Sequence, residues 1–156
     1  MTQVLSSLHG LGVAMVTPFN EQGNVDFPAL QRMVEHQIKG GTAFLVVLGT
    51  TGETPTLSAA EQRRVVDFVL EVNAGRLPVV VGVTGNNTAE LCERIHNWDV
   101  SGVAAFLVAT PAYNKPGQEG LKAHYTSVAD AAQRLFMLLK VPCSTSWNLS
   151  AATTLT

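Results

Sequence analysis

The chain has few charged side chains, few aromatic ones and only two cysteines. Lys, Arg, Asp and Glu make up 14% of its 156 residues, and the formal net charge is −2. This composition argues against a basic surface for nucleic acid or for an anionic membrane. No apolar run approaches the ~20 residues of a membrane span, and residues 1–10 lack the basic and then apolar pattern of a signal peptide. We therefore expect no nucleic-acid partner, no membrane partner and a cytoplasmic location.

Motifs for metals and nucleotide cofactors are also missing. The sequence has no GxGxxG, no Walker A segment and no Cys/His/Asp cluster with metal-ligand spacing, so we expect neither a cofactor nor a metal. Cys92 and Cys143 lack motif spacing and are expected to be reduced, structural thiols. The four histidines fall on helical or terminal segments, where surface or packing roles are expected: His9, His36, His96 and His124.

Hydrophobic residues make up 46% of the chain, which is typical of a parallel sheet covered on both faces. Five β-rich runs alternate with helical patterns, and this alternation predicts parallel strands joined by right-handed crossovers. The predicted strands are residues 12–17, 43–48, 79–83, 104–109 and 135–141. The predicted helix starts are Asp26, Ser58 with Glu61 as a capping box, Thr88, about Gln118 and Ser150, and Gly40 with Gly41 closes the first helix.

Two architectures suit this alternation. Five βα units fit an open, doubly wound sheet of the flavodoxin type. They also fit the first five of eight units in a barrel, because the predicted strands begin about 31 residues apart and eight such units need ~250 residues. Spacing alone leaves both architectures open.

Polar residues follow each of the first four predicted strands. The carboxyl ends of parallel strands share one face, where ligands bind. The most informative segment is Gly49-Thr50-Thr51-Gly52-Glu53, in which two hydroxyls lie between glycines that let the backbone turn sharply. Thr, Asn and Tyr at these ends, with few charges, indicate a small carbonyl or carboxylate ligand. The other three polar segments are residues 17–19, 84–88 and 110–114.

These segments carry a family resemblance. The chain resembles the dihydrodipicolinate synthase branch of the pyruvate-dependent class I aldolases, a family shared with N-acetylneuraminate lyase. Thr50 directly after Gly49 favours the synthase, since the lyases usually carry serine there. The resemblance implies an α/β TIM (β/α)₈ barrel, of which residues 1–156 would be the N-terminal five βα units of one domain, with the sixth strand onward absent. The matching stretches are residues 12–19, 49–53, 55–57, 85–88 and 110–116.

The resemblance also implies a reaction. Pyruvate, held as a Schiff base on a lysine, would condense with aspartate semialdehyde to 4-hydroxy-tetrahydrodipicolinate in lysine and diaminopimelate biosynthesis, without a cofactor, in a homotetramer built from tight dimers. Thr51 would hold the pyruvate carboxylate through backbone and hydroxyl donors. Thr50 and Tyr113 would belong to a proton relay, with Tyr113 reaching into a neighbouring subunit's site. The alternatives are that Thr50 and Thr51 only cap a turn, that Tyr113 is only an interface residue, and that Glu53 is a structural hydrogen-bond acceptor.

The sequence departs from the family near its fifth strand. The family pattern Tyr-Asn-Val-Pro-(Gly or Ser)-Arg-Thr is replaced by residues 139–145, Leu-Lys-Val-Pro-Cys-Ser-Thr. Leu139 stands in the place of the relay tyrosine, and Ser144 in the place of the arginine that guides the second substrate. The family's Schiff-base lysine lies on the sixth strand. Lys140 is a poor substitute, because strand side chains alternate and residue 140 would point away from the barrel interior if residue 139 points into it.

We therefore expect residues 1–156 alone to be inactive. Exposed edges on the first and fifth strands would favour self-association. The competing functions are a related 2-keto-3-deoxy sugar acid or N-acetylneuraminate aldolase, a non-catalytic half-barrel that binds small carboxylates, and an open flavodoxin-like binding domain.

Overall fold

The computed structural model describes residues 8–99, 101–132, 134–142 and 148–154, and within them strands and helices alternate. All five predicted strands are present. The strands are β1 (Gly12–Ala14), β2 (Phe44–Val47), β3 (Val79–Gly82), β4 (Val103–Ala109) and β5 (Leu135–Leu139). The helices are α1 (Phe27–Lys39), α2 (Ala59–Asn73), α3 (Thr88–His96), α4 (Gln118–Ala131) and the short α5 (Ala151–Thr154).

Several strand ends differ from the prediction. β1 ends at Ala14 and β5 at Leu139, so each is shorter than its apolar run. Pro18 and Pro142 follow these two runs, and proline has no backbone N–H to donate to a strand ladder. β2 ends at Val47 because Leu48 has a left-handed backbone, with φ +57°.

The pairing of the first three strands decides between the two architectures. β2 pairs in parallel with β1, where Val13 faces Leu45, and with β3, where Leu45 faces Val79. A flavodoxin-type sheet has the order 2-1-3, with the first strand between the second and third. The flavodoxin alternative is therefore wrong. Among the described residues the strand order is β1-β2-β3-β4-β5, the sequential order of a barrel.

The chain divides into two compact units. The first comprises residues 1–82 and 102–104, and the second comprises residues 83–101 and 105–156. In the first unit, helices α1 and α2 pack on each other and β3 is buried along its whole length. In the second unit, α3 packs against α4, and β4 pairs in parallel with β5. The fully buried side chains include Leu30, Val34, Val65 and Val66 in the first unit and Leu91, Ile95, Phe106 and Leu121 in the second.

Three of the predicted helix starts have the expected caps. The Asp26 carboxylate accepts from Ala29 N at 2.9 Å, and Ser58 and Glu61 form the reciprocal capping box. Ser150 Oγ accepts from Thr153 N at 3.1 Å.

The predicted cap of α3 is wrong. Asn87, not Thr88, is the cap, and its side-chain oxygen accepts from Glu90 N at 3.3 Å. Thr88 is the first helical residue, and a hydrogen bond of 2.8 Å joins its hydroxyl to His124 Nδ1. The Thr88 side chain therefore links α3 to α4.

His124 is a packing histidine, as expected. It is 5% exposed, and its Nε2 is buried without a hydrogen-bond partner in the described part of the chain. Burial lowers the pKa of His124 below its ordinary value, because the charged ring would lose its hydration.

The sequence analysis also made predictions about the two cysteines, a membrane span and a metal site. Cys92 is a free, half-buried thiol, whereas Cys143 lies outside the described residues. Within the described ranges, no helix is long and apolar enough to cross a membrane, and no group of three His, Cys, Asp or Glu side chains could hold a metal ion.

The last strand is less buried than the middle of the sheet. All five residues of β5 are half-buried and apolar, in contrast to the fully buried β3.

We predict that acid destabilises the fold through His124. The lowered pKa means that neutral His124 stabilises the folded state fully above the unfolded value of about 6.5. That contribution declines as pH falls below this value and is lost once pH passes the folded-state pKa. Urea unfolding at pH 7.5 and 5.0 should show the loss in the wild type and a smaller loss in His124→Gln. The exposed His36 gives the control, since His36→Gln should keep the wild-type difference; equal differences in all three proteins would contradict the prediction.

Candidate active site

The turn after β2 is bracketed by two strained residues. Leu48 and Glu53 have φ values of +57° and +53°, which cost non-glycine residues about 1–3 kcal/mol each. Between them, Thr50–Gly52 forms one turn of 3₁₀ helix, closed by a bond of 2.9 Å from Gly52 N to the Gly49 carbonyl. Such strain persists only where the surrounding structure fixes the backbone.

The turn presents two free hydroxyls. Thr50 and Thr51 are both exposed, and neither side chain has a hydrogen-bond partner within the described ranges. The turn has no side-chain cap at its start, Gly49. Among the described residues, the two threonine hydroxyls therefore form no capping hydrogen bond, and their role as ligand-binding groups stays a prediction.

Buried threonines on either side hold the turn in place. Thr54 Oγ1 donates to the Leu48 carbonyl at 2.8 Å and to the Gly49 carbonyl at 3.1 Å. Thr17 Oγ1 donates to the Gly52 carbonyl at 2.7 Å. Sequence analysis assigned neither residue a role, although Thr17 lies in a segment that carries the family resemblance and Thr54 lies between two such segments.

Glu53 accepts hydrogen bonds through its backbone. The Glu53 carbonyl accepts from the backbone N and the hydroxyl of Thr56, at 2.8 Å in each case. The exposed Glu53 carboxylate has no hydrogen-bond partner among the described residues. The expected structural acceptor is thus the carbonyl rather than the side chain.

In the second unit, an asparagine holds the loop that carries Tyr113. Asn86 Nδ2 donates to the Ala112 carbonyl at 3.0 Å, and its Oδ1 accepts from Ala112 N at 3.0 Å. An amide side chain has one donor and one acceptor group, so it can pair with both sides of a single residue. Tyr113 follows directly, with φ +68° and 90% exposure. Asn86 is a third residue whose role sequence analysis missed.

The chain's other tyrosine is buried. Tyr125 donates its hydroxyl to Thr110 Oγ1 at 3.1 Å, next to the end of β4. Burial raises the pKa of Tyr125 above its ordinary value, so the phenol remains neutral at physiological pH.

Leu139 is the last residue of β5 and is half-buried. Its carbonyl accepts from Thr110 N at 3.3 Å, and the next residue, Lys140, is exposed. Ser144, in the place of the family's arginine, lies outside the described residues. The candidate residues therefore occur as two sets, Thr50 and Thr51 in the first unit and Tyr113 and Leu139 in the second.

Comparison with known proteins gives consistent matches along the chain. The sequence model of the Dihydrodipicolinate synthetase family matches residues 7–156. The 4-hydroxy-tetrahydrodipicolinate synthase of Phocaeicola vulgatus is 45% identical over 152 residues, which are 97% of this chain and 51% of that protein. The chain spans about half the length of the curated relatives it matches.

Solved structures of dihydrodipicolinate synthases also match this chain. The chloride-inhibited dihydrodipicolinate synthase from Acinetobacter baumannii, complexed with pyruvate, matches with a TM-score of 0.89 and 40% identity, covering 94% of this chain and 50% of that one. A structure described as the first monomeric dihydrodipicolinate synthase variant matches with a TM-score of 0.89 and 36% identity, covering 95% and 49%. The fold class is therefore α/β, with about the first five βα units of a TIM (β/α)₈ barrel. By its sequence, its strand order and its structural neighbours, the chain belongs to the Dihydrodipicolinate synthetase family.

Proposed function

We propose that this chain is the substrate-holding part of a lyase that condenses pyruvate, as a lysine Schiff base, with aspartate semialdehyde to 4-hydroxy-tetrahydrodipicolinate. The observation that carries the proposal is the pair of exposed hydroxyls of Thr50 and Thr51, which have no hydrogen-bond partner among the described residues, on a turn held by buried bonds. The 45% identity to a 4-hydroxy-tetrahydrodipicolinate synthase supports the choice of substrates. We place the enzyme in the cytoplasm, in the pathway to diaminopimelate and lysine.

Thr51 is the proposed carboxylate ligand. Its hydroxyl and its backbone N–H would donate to the carboxylate of pyruvate, and a hydrogen bond to a charged group contributes about 1.5–3 kcal/mol. This contact would fix the keto carbon at a constant distance from the nucleophile.

Thr50 and Tyr113 are the proposed proton relay. Attack of the lysine amine on the keto carbon gives a carbinolamine, and imine formation then requires a proton for the departing water. Hydroxyl groups can both donate and accept, so two of them can pass a proton onward. Tyr113 acts from a neighbouring subunit in this proposal, and its 90% exposure on a backbone with φ +68° supports such a contact. The assembly is a dimer of dimers, although one structural neighbour is described as monomeric.

Two positions limit what residues 1–156 do alone. Leu139 has no hydroxyl at the place of the family's relay tyrosine, and a missing general acid–base group costs about 10²–10⁴-fold in rate. The Schiff-base lysine falls on the sixth strand, outside these residues. Lys140 is exposed beside Leu139 and is the one lysine to test as a substitute.

Borohydride trapping with pyruvate tests the covalent step. Intact mass spectrometry should show no reduced pyruvate on the 156-residue chain. A fusion of this chain to the second half of the Phocaeicola vulgatus relative should gain one, because the fusion supplies the sixth strand. An adduct on the short chain that disappears in Lys140→Arg would instead make Lys140 the nucleophile. A fusion that folds but gains no adduct would contradict the proposed chemistry.

Two isosteric variants of the same fusion, made together with Leu139→Tyr so that the proposed relay has its tyrosine, separate binding from proton transfer. Thr51→Val should raise KM for pyruvate by about 10- to 100-fold, because it removes a hydrogen bond to a charged group. Thr50→Val should mainly lower kcat, by about 10²-fold or more, because it interrupts the relay. Steady-state kinetics with aspartate semialdehyde and with sugar aldehydes would measure both effects and identify the acceptor. Unchanged constants in both variants would contradict the assigned roles.

A further inference from the structure

The peptide between Leu48 and Gly49 is the strained point of the candidate site. Leu48 is 1% exposed and has φ +57°, a conformation unfavourable for a branched side chain. Gly49 then returns to an extended backbone, with φ −66° and ψ 177°. The carbonyls of both residues come within hydrogen-bond distance of the same atom, Thr54 Oγ1.

Thr54 is itself fixed in place. It is 6% exposed and begins the second 3₁₀ turn, Thr54–Thr56. Its carbonyl accepts from Leu57 N at 3.1 Å and from Gln62 Nε2, on α2, at 3.2 Å. The main chain of Thr54 is therefore anchored to the first turn of α2 and does not move together with the Leu48–Gly49 peptide.

Gly82 contacts the same peptide. A Cβ atom at Gly82 would lie 2.2 Å from the Leu48 carbonyl oxygen and 2.7 Å from Gly49 N, so only glycine leaves room for this backbone. The peptide thus lies against the end of β3 and is bonded by the Thr54 hydroxyl.

We infer that Thr54 is a positioning residue for Thr50 and Thr51. Its hydroxyl stabilises the left-handed backbone at Leu48, and Thr50 and Thr51 follow directly along the chain. Without that hydroxyl, the buried carbonyls of Leu48 and Gly49 lose the one hydroxyl hydrogen that they share, although the Gly49 carbonyl keeps its bond from Gly52 N. The backbone then relaxes toward an unstrained conformation that redirects both threonine side chains. Ligand-binding groups must be held to within about 0.5 Å, so even a small rotation matters. The ligand-binding part of this inference rests on the proposed function.

Two variants of the 156-residue chain isolate the hydroxyl. Thr54→Val keeps the shape of the side chain and removes the donor, and Thr54→Ser keeps the donor. Thr56→Val is the matched control, because the Thr56 hydroxyl also donates to a carbonyl of this segment, that of Glu53, but does not touch Leu48 or Gly49. Should Thr54→Val not fold, Thr54→Ala against Thr54→Ser makes the same comparison, since the two differ by one oxygen atom.

Amide resonances in ¹H–¹⁵N spectra, recorded with and without pyruvate, are the measurement. In Thr54→Val, the Gly49, Thr50 and Thr51 amides should shift and the pyruvate affinity should fall by about tenfold or more. Thr54→Ser and Thr56→Val should keep wild-type resonances at these three amides and wild-type affinity.

The outcomes distinguish the inference from the function on which it rests. Wild-type amide resonances at residues 49–51 in Thr54→Val would overturn the positioning role, whatever pyruvate does. If pyruvate shifts no amide of the wild-type turn, the proposed carboxylate site fails in this chain, and the amide positions without ligand still decide the positioning role.

Discussion

The left-handed backbone at Leu48 is the constraint on which the candidate site depends. β2 lies between β1 and β3, and residues 45–48 are buried, so the strand has no freedom to shift sideways. The chain leaves this strand through the space beside Gly82 and then forms the turn. The backbone of the turn is therefore fixed by buried contacts, while the side chains of Thr50 and Thr51 are exposed.

The same arrangement occurs in the second unit. Asn86 bonds both the N–H and the carbonyl of Ala112, and the next residue, Tyr113, is exposed on a strained backbone. In each unit side-chain hydrogen bonds hold the main chain of a loop, and at least one hydroxyl-bearing side chain of that loop is exposed. This separation suits a ligand-binding site, because the groups that bind are not the groups that maintain the loop.

Helix caps and parallel strands could be predicted from the residues themselves, whereas the order of the strands required the family resemblance. Asp26 and the Ser58–Glu61 pair were identifiable because a helix cap joins residues three apart. The position of β2 between β1 and β3 depends on strand pairing, so the spacing of strands left the flavodoxin order open.

The supports of the site were missed for a related reason. Thr17 bonds a carbonyl 35 residues away, and Asn86 bonds a residue 26 away. Their partners are backbone groups, which every residue type possesses, so the identity of the partner residue gives no signal. The Thr54 bonds are short in sequence, but they depend on the left-handed backbone at Leu48, a conformation that a leucine does not indicate.

The substitution at Leu139 affects chemistry and fold differently. β5 pairs with β4 over five residues through main-chain bonds, up to Ala109 opposite Leu139, and Thr110 N donates to the Leu139 carbonyl. None of these bonds involves the side chain, so leucine at this position leaves the strand pairing intact. In the proposed mechanism, the absence of a tyrosine hydroxyl at this position removes a proton carrier, while the main-chain pairing of the strand is unaffected. In the proposed function, substrate holding by Thr51 and proton transfer through residue 139 therefore depend on different residues, and the substitution at Leu139 affects only the second.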